Sequence, residues 1–177
     1  MKSVLISIQP KWCEQIANGG KTIEVRKTRP KIETPFKCYI YCTKQFYRKG
    51  DGYFQGKYCG KVIGEFVCDR IEDMRDVQRE PTCLTIDEWL KYTDGHKGIV
   101  WGWHISDLVI YEKPKELSEF ATLCLAECSA PYKCDKCEYY YREDYEDGVY
   151  EECCCNNLKP LKRPPQSWCY VEGVEGK

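Results

Sequence analysis

The sequence predicts a mainly β fold with flanking helices, an α+β arrangement in which a curled sheet or small barrel carries the core. Three observations lead there. Segments with strand character outnumber helical ones, the two helical segments are short, and glycines interrupt the longest apolar stretch where a bulge or sharp coil would fall. The chain has 177 residues, which suits one domain with room for an insertion. Residues 1–177 read as that single domain, with 125–160 as the insertion.

The elements follow in order. "SVLISI" is a strand stopped by Gln9 and Pro10. Proline fits the first turn of a helix and a double glycine ends one, so "PKWCEQIANGG" is a helix burying Trp12, Ile16 and Cys13. "KTIEVRK" alternates apolar and polar residues as a half-buried strand does. After the proline-bounded loop "RPKIETP" comes the strand "FKCYIYC", then the glycine-rich loop "RKGDGYFQG". "YCGKVIGEFVCDRIEDM" is a long strand whose Gly60 and Gly64 point to bulges. "TIDEWLKYT" is a short helix with Thr85 and Glu88 as a capping box. "GIVWGWHISDLVIYE" is a strand pair or one bent strand, "KPKELSEF" a proline-started turn or helix, and "RPPQSWCYVE" a closing strand.

Composition narrows the function. Hydrophobic residues make up 42% of the chain, enough for a packed core. The net charge of −1 gives no whole-molecule field toward nucleic acid or membrane, so such binding needs a local patch. Apolar runs are far below the roughly 20 residues that span a bilayer. The N-terminus enters a strand after one lysine, without signal-peptide character, which points to a cytoplasmic protein. One basic cluster stands out: Lys11, Lys21, Arg26, Lys27, Arg29 and Lys31, with Arg48, Lys49 and Lys57 as an extension. Such a cluster can track a phosphate backbone with modest, salt-sensitive affinity.

The spacing Gly19-x-Lys21-x-x-Glu24-x-Arg26 follows a helix and opens a strand. Period 2 sends Glu24 and Arg26 to one face. An acid beside a planar guanidinium can accept from and donate to one polar heterocycle or phosphate. The alternative is a solvated strand face with a weak surface ion pair. "LISIQPKWCEQIANGGKTIEVRK", with its GxKxxExR signature, resembles the start of the ASCH domain, a branch of the PUA-like superfamily of bacterial and phage type. "KVIGEF", "WGWHISDL" and "RPPQSWCYV" continue the resemblance, which covers most of the chain outside 125–160.

The resemblance implies a PUA-like β-barrel of about five or six strands, with Lys21, Glu24 and Arg26 lining a cleft that takes RNA or a nucleotide, modified nucleoside or base. It also raises enzymes: some small ASCH proteins hydrolyse N4-acylated cytidines, with a threonine as nucleophile and the lysine as its base. Here Glu24 holds the threonine's position, and a carboxylate does not replace a lysine-activated hydroxyl. Thr22 lies roughly 7 Å away along the strand. A nucleoside amidohydrolase or ribonuclease on this chain would use Lys21 and Glu24 as catalytic residues.

Other side chains compete for the cleft. The Ser7 hydroxyl can line it or cap the following helix. Trp168, Trp101 and Trp103 can stack a base or fill the core, and His104 is a base or a hydrogen-bonded core residue.

Fourteen cysteines are the compositional anomaly. In a reducing compartment clustered thiols bind metal more often than they pair. Cys38, Cys42, Cys59 and Cys68 fall at strand-like positions and read as small core residues. Cys134 and Cys137 form a C-x2-C knuckle, and "CCC" at 153–155 follows. Neighbours in extended chain point apart, so Cys153 and Cys155 complete a four-thiolate structural zinc site better than Cys154 does. Cys128 is a further ligand candidate, and a redox-active pair or unpaired thiols in a loop are the alternatives to a metal. Such a zinc knuckle would order an insertion poor in aliphatic residues, and could make the protein an interaction adaptor.

Overall fold

The computed structural model describes residues 3–44, 58–76, 79–122 and 159–172. Strand β1 (Ser3–Ile8) is buried along its whole length and runs into helix α1 (Pro10–Ala17), with Pro10 at the first turn. The chain leaves α1 through Asn18 and Gly19, whose φ of +74° needs a residue without a Cβ. It then enters β2 (Ile23–Arg26) and returns as β3 (Phe36–Cys42). α1 buries Pro10, Cys13 and Ile16, while Trp12 stays half-buried at the edge of the stripe.

The predicted long strand is two strands, β4 (Val62–Cys68) and β5 (Ile71–Asp73). After α2 (Ile86–Thr93) the stretch read as a strand pair or one bent strand is two successive strands, β6 (Trp101–His104) and β7 (Ser106–Lys115). Short strands β8 (Ala121–Thr122) and β9 (Lys159–Pro160) precede the closing β10 (Trp168–Glu172). Thr85 and Glu88 cap α2 reciprocally, as the sequence predicts. "KPKELSEF" divides differently: Lys113–Lys115 extend β7, and only Leu117–Glu119 turn. β7 is the edge of its sheet, where Pro114 lacks an N–H that no neighbour needs.

One sheet has the order β7-β4-β3-β1-β10-β8-β9, and the second β2-β6-β5. β1 and β3 are parallel, and the other pairs are antiparallel. β4 pairs with β7 in the first sheet, and their continuations β5 and β6 pair in the second. The β4–β5 and β6–β7 ribbons therefore bend together from one sheet to the other. Gly64 permits this: a Cβ there would stand 2.3 Å from the Val109 carbonyl oxygen. The register slips beside it against both neighbours, the bulge the sequence predicts.

The core lies between the sheets. Val4, Ile6 and Ile8 of β1 pack with Cys38 and Ile40 of β3, Phe66 of β4 and Ile16 of α1. Trp103 of β6 is fully buried and meets Phe36 edge-on at 5.9 Å, locking the second sheet onto the first. The architecture is the mainly β, α+β fold expected; the described residues hold ten strands rather than five or six, because bends split two ribbons and two strands have only two residues. Cys38, Cys42 and Cys68 are core residues as expected, and Cys59 is half-buried. The cysteine-rich insertion, including Cys134, Cys137, Cys153 and Cys155, lies outside the described residues, as do Arg48, Lys49 and Lys57. Among the described residues no helix is long and apolar enough to cross a membrane.

Candidate functional site

β2 leaves the end of α1 and projects Glu24 and Arg26 to one face, as its alternation demands. Lys21, in the link before it, folds onto the same point. The Glu24 carboxylate lies 3.3 Å from Lys21 Nζ and 2.9 Å from Arg26 Nη2, so both cations share one acid. The Lys21 side chain is 2% exposed, Glu24 8% and Arg26 11%. A surface ion pair this is not.

Lys21 Nζ also donates to the carbonyls of Ile23 at 2.8 Å and Thr82 at 2.7 Å. With Glu24 these occupy all three donors of an ammonium. Arg26 Nη2 donates to the Ser7 carbonyl at 2.7 Å and Nη1 to Ser167 Oγ at 3.4 Å. Arg26 Nε is buried and has no hydrogen-bond partner among the described residues. Two cations against one carboxylate leave the cluster one positive charge in excess.

The three side chains form the floor of a cavity of about 300 Å³. Ser7, Ile8, Gln9 and Trp12 supply one wall; Thr43, Leu84, Tyr92 and Gln166 close the others. Ser7 Oγ donates to the Pro165 carbonyl at 2.7 Å, so the hydroxyl ties the closing segment to the cavity instead of capping α1. Trp12 is doubly cation-facing, with Lys11 Nζ 4.3 Å and Lys21 Nζ 5.2 Å from its ring centre. Tyr92 donates to the Val25 carbonyl at 3.3 Å, and burial pushes its phenol above the ordinary range. Lys27 lies over the same ring at 5.2 Å.

No protein-family model matches the sequence, and no curated protein matches it. Solved structures do. The crystal structure of the ASCH protein from Zymomonas mobilis is similar with a TM-score of 0.50 at 20% identity, over 65% of this chain and 73% of that one. A mutant form of that protein gives a TM-score of 0.50 at 21% identity, over 66% of this chain and 77% of the other. The chain has the ASCH-domain fold. At these identities the likeness speaks for architecture alone.

Of the residues expected from the sequence, Ser7, Lys21, Glu24 and Arg26 come together in this cavity. Trp168 does not line it. Its ring is held 5.9 Å from Trp103 and 5.4 Å from Tyr170, and its indole N–H donates to Thr28 Oγ1 at 3.0 Å. Trp103 is core, and Trp101 lies under the Arg29 guanidinium at 4.3 Å. His104 is half-buried and bonds the Glu72 carboxylate away from the cleft. Thr22 is exposed, its amide bound to the Pro81 carbonyl. The aromatic rings in the cleft are instead Trp12, which helical period had assigned to the core, and Tyr92, which no motif marks. The basic cluster is divided: Lys21 is spent within the floor, Arg26 keeps its Nε without a partner among the described residues, Lys11 pairs with Glu88, and Lys27 lies over the Tyr92 ring.

Proposed function

We propose that this chain binds RNA, or a nucleotide or modified nucleobase, in the ASCH cleft. The observation that carries this reading is the gathering of three nearly buried charged side chains on one cavity floor. Buried ion clusters rarely stabilise a fold more than apolar residues of the same volume would, so their presence asks for a ligand. The cavity lies at the small end of the ~300–1,000 Å³ typical of ligand pockets, which suits a base or nucleoside. Arg26 holds a phosphate or carbonyl oxygen, Glu24 accepts from an exocyclic amine, and Trp12 or Tyr92 offers a stacking face. Lys27 and Lys11 at the margin favour a phosphate chain leading outward. The signature in "GGKTIEVRK" points to the same ligand class.

Binding is favoured over catalysis because Lys21 already directs its donors to three acceptors within the protein. Titration of the protein with short single-stranded RNA, mononucleotides and N4-modified cytidines, followed by intrinsic tryptophan fluorescence, tests the proposal. Saturable binding weakened at least tenfold in Arg26→Ala is expected. No binding of any of these to folded protein rejects it, and turnover of RNA or an acylated cytidine that Lys21→Ala abolishes replaces it with an enzyme. The C-x2-C spacing and the paired thiols at 153 and 155 support structural zinc within the same proposal. Native mass spectrometry is expected to show one zinc per chain, lost in Cys134→Ser.

A further inference from the structure

Three thiols meet beside the cleft. Cys42 ends β3 with its side chain fully buried, and Cys13 reaches it from α1, also buried. Cys59 faces Cys42 from the chain entering β4, with the two Sγ atoms 3.9 Å apart, and is itself half-buried. The backbone fixes this approach. The Cys42 amide donates to the Lys61 carbonyl at 2.9 Å, and the Gly60 amide donates to the Cys42 carbonyl at 2.8 Å. Cys13 Sγ also donates to the Ile8 carbonyl at 3.5 Å, and the Thr43 amide binds that same oxygen at 2.9 Å. Ile8 and Thr43 are both cleft residues, so the thiols share their backbone supports with the cleft wall.

The environments divide the cysteines. The contact with Cys13, joined by that with Cys59, lowers the Cys42 thiol below its ordinary range despite burial. The same contact with Cys42, then burial, holds Cys13 well above it. Burial likewise raises Cys38, and lifts Cys68 to about 12. Cys42 is therefore the thiol of this group that releases its proton most readily, beside the half-buried Cys59.

We propose that Cys42 and Cys59 are a hydroperoxide-sensitive dithiol that closes to a disulfide between the end of β3 and the turn entering β4. Cys59, the solvent-facing partner, attacks the peroxide: an S–O bond forms, the O–O bond breaks, and water leaves with the thiol proton. The Cys42 thiolate then attacks the sulfenic sulfur. An S–S bond forms, the S–O bond breaks, and the departing hydroxide takes up the proton that Cys42 released. Two thiols and one hydrogen peroxide give one disulfide and two waters, with sulfur oxidised and peroxide reduced. Closure needs the sulfurs to move from 3.9 Å to ~2.05 Å, within reach of side-chain rotation at a fixed ladder end. The product joins the two ends of the stretch 43–58 and pins the cleft wall at Thr43. This inference is independent of what the cleft binds.

The test treats the reduced full-length chain with graded hydrogen peroxide, traps thiols with an alkylating agent, and maps them by peptide mass spectrometry. A linked peptide joining Cys42 to Cys59 is expected, reversed by dithiothreitol, while Cys38 and Cys68 alkylate only after denaturation. Cys59→Ser, a change at a half-exposed side chain, is expected to remove the linked peptide and slow Cys42 oxidation at least tenfold. A Cys13–Cys42 link, a link to any other cysteine, oxidation of Cys59 stopping at sulfinic acid, or unchanged Cys42 oxidation in Cys59→Ser overturns the proposal.

Discussion

Glu24 and Glu65 are both strand glutamates held by a lysine, and they live in opposite regimes. Glu65, on β4, takes Lys37 Nζ at 2.8 Å and a hydrogen bond from the Tyr111 hydroxyl, with side-chain exposures of 23% for the acid and 47% for the lysine. Glu24 takes two cations at 8% exposure, with partners at 2% and 11%. Water screens the first pair and is nearly excluded from the second. Residue type is shared; solvent access decides whether an ion pair is decoration or a site.

The largest expected effect follows directly. Glu24→Ala strips the acid from two buried cations and is expected to cost ~3–5 kcal/mol in urea unfolding. Glu65→Ala is expected to cost under ~1 kcal/mol. Equal costs for the two would dissolve the comparison.

Lys21→Met sharpens it. The substitution keeps the buried stem and removes the donor, leaving the Ile23 and Thr82 carbonyls short of a partner. A loss of about 2–3 kcal/mol is expected from the same unfolding measurement. A neutral result would mean the ammonium serves ligand binding alone.

Trp12→Ala separates binding from stability within the cleft. Its ring is half-buried, so unfolding is expected to shift little, while affinity for a base falls by ~1–3 kcal/mol, roughly 5- to 150-fold by titration. Unchanged affinity would move the stacking role to Tyr92.

The smallest effect is the pH dependence at Glu65. Burial pulls its carboxyl up, but hydrogen bonds from Lys37 and Tyr111 together outweigh it and hold the group below the ordinary range. A lowered folded value stabilises fully above the unfolded pKa, near ~4.3, and that contribution is lost as pH falls through the folded value. Lys37→Ala is expected to lose under ~1 kcal/mol at neutral pH, with the difference from the parent fading in acid. A difference that grows in acid would reverse the sign of the coupling.

How much of this was legible beforehand can be followed residue by residue. Short-range rules placed α1, the turn at Gly19, the capping box on α2 and the bulge at Gly64, because each depends on neighbours a few positions away. Strand alternation put Glu24 and Arg26 on one face for the same reason. Trp12 packs against the core as its helical period predicts, but it also lines the cavity, because a residue on the margin of a helical stripe can face both. Trp168 was offered as a stacking face, yet Trp103 of β6 and Thr28 of the loop after β2 hold it outside the cavity, and both come from distant segments.

The sequence by itself determined a mainly β chain with a short helix leading into a charged strand, and it named the acid and two cations of the floor. Tertiary structure alone decided that these charges would be buried. That burial depends on the Thr82 carbonyl, 61 residues from Lys21, and on Tyr92 and Gln166 closing the walls. It also brought Cys59 against Cys42, which read separately as ordinary core cysteines. Local periodicity fixes which face a side chain occupies; what stands opposite that face is set by contacts between segments far apart in the chain.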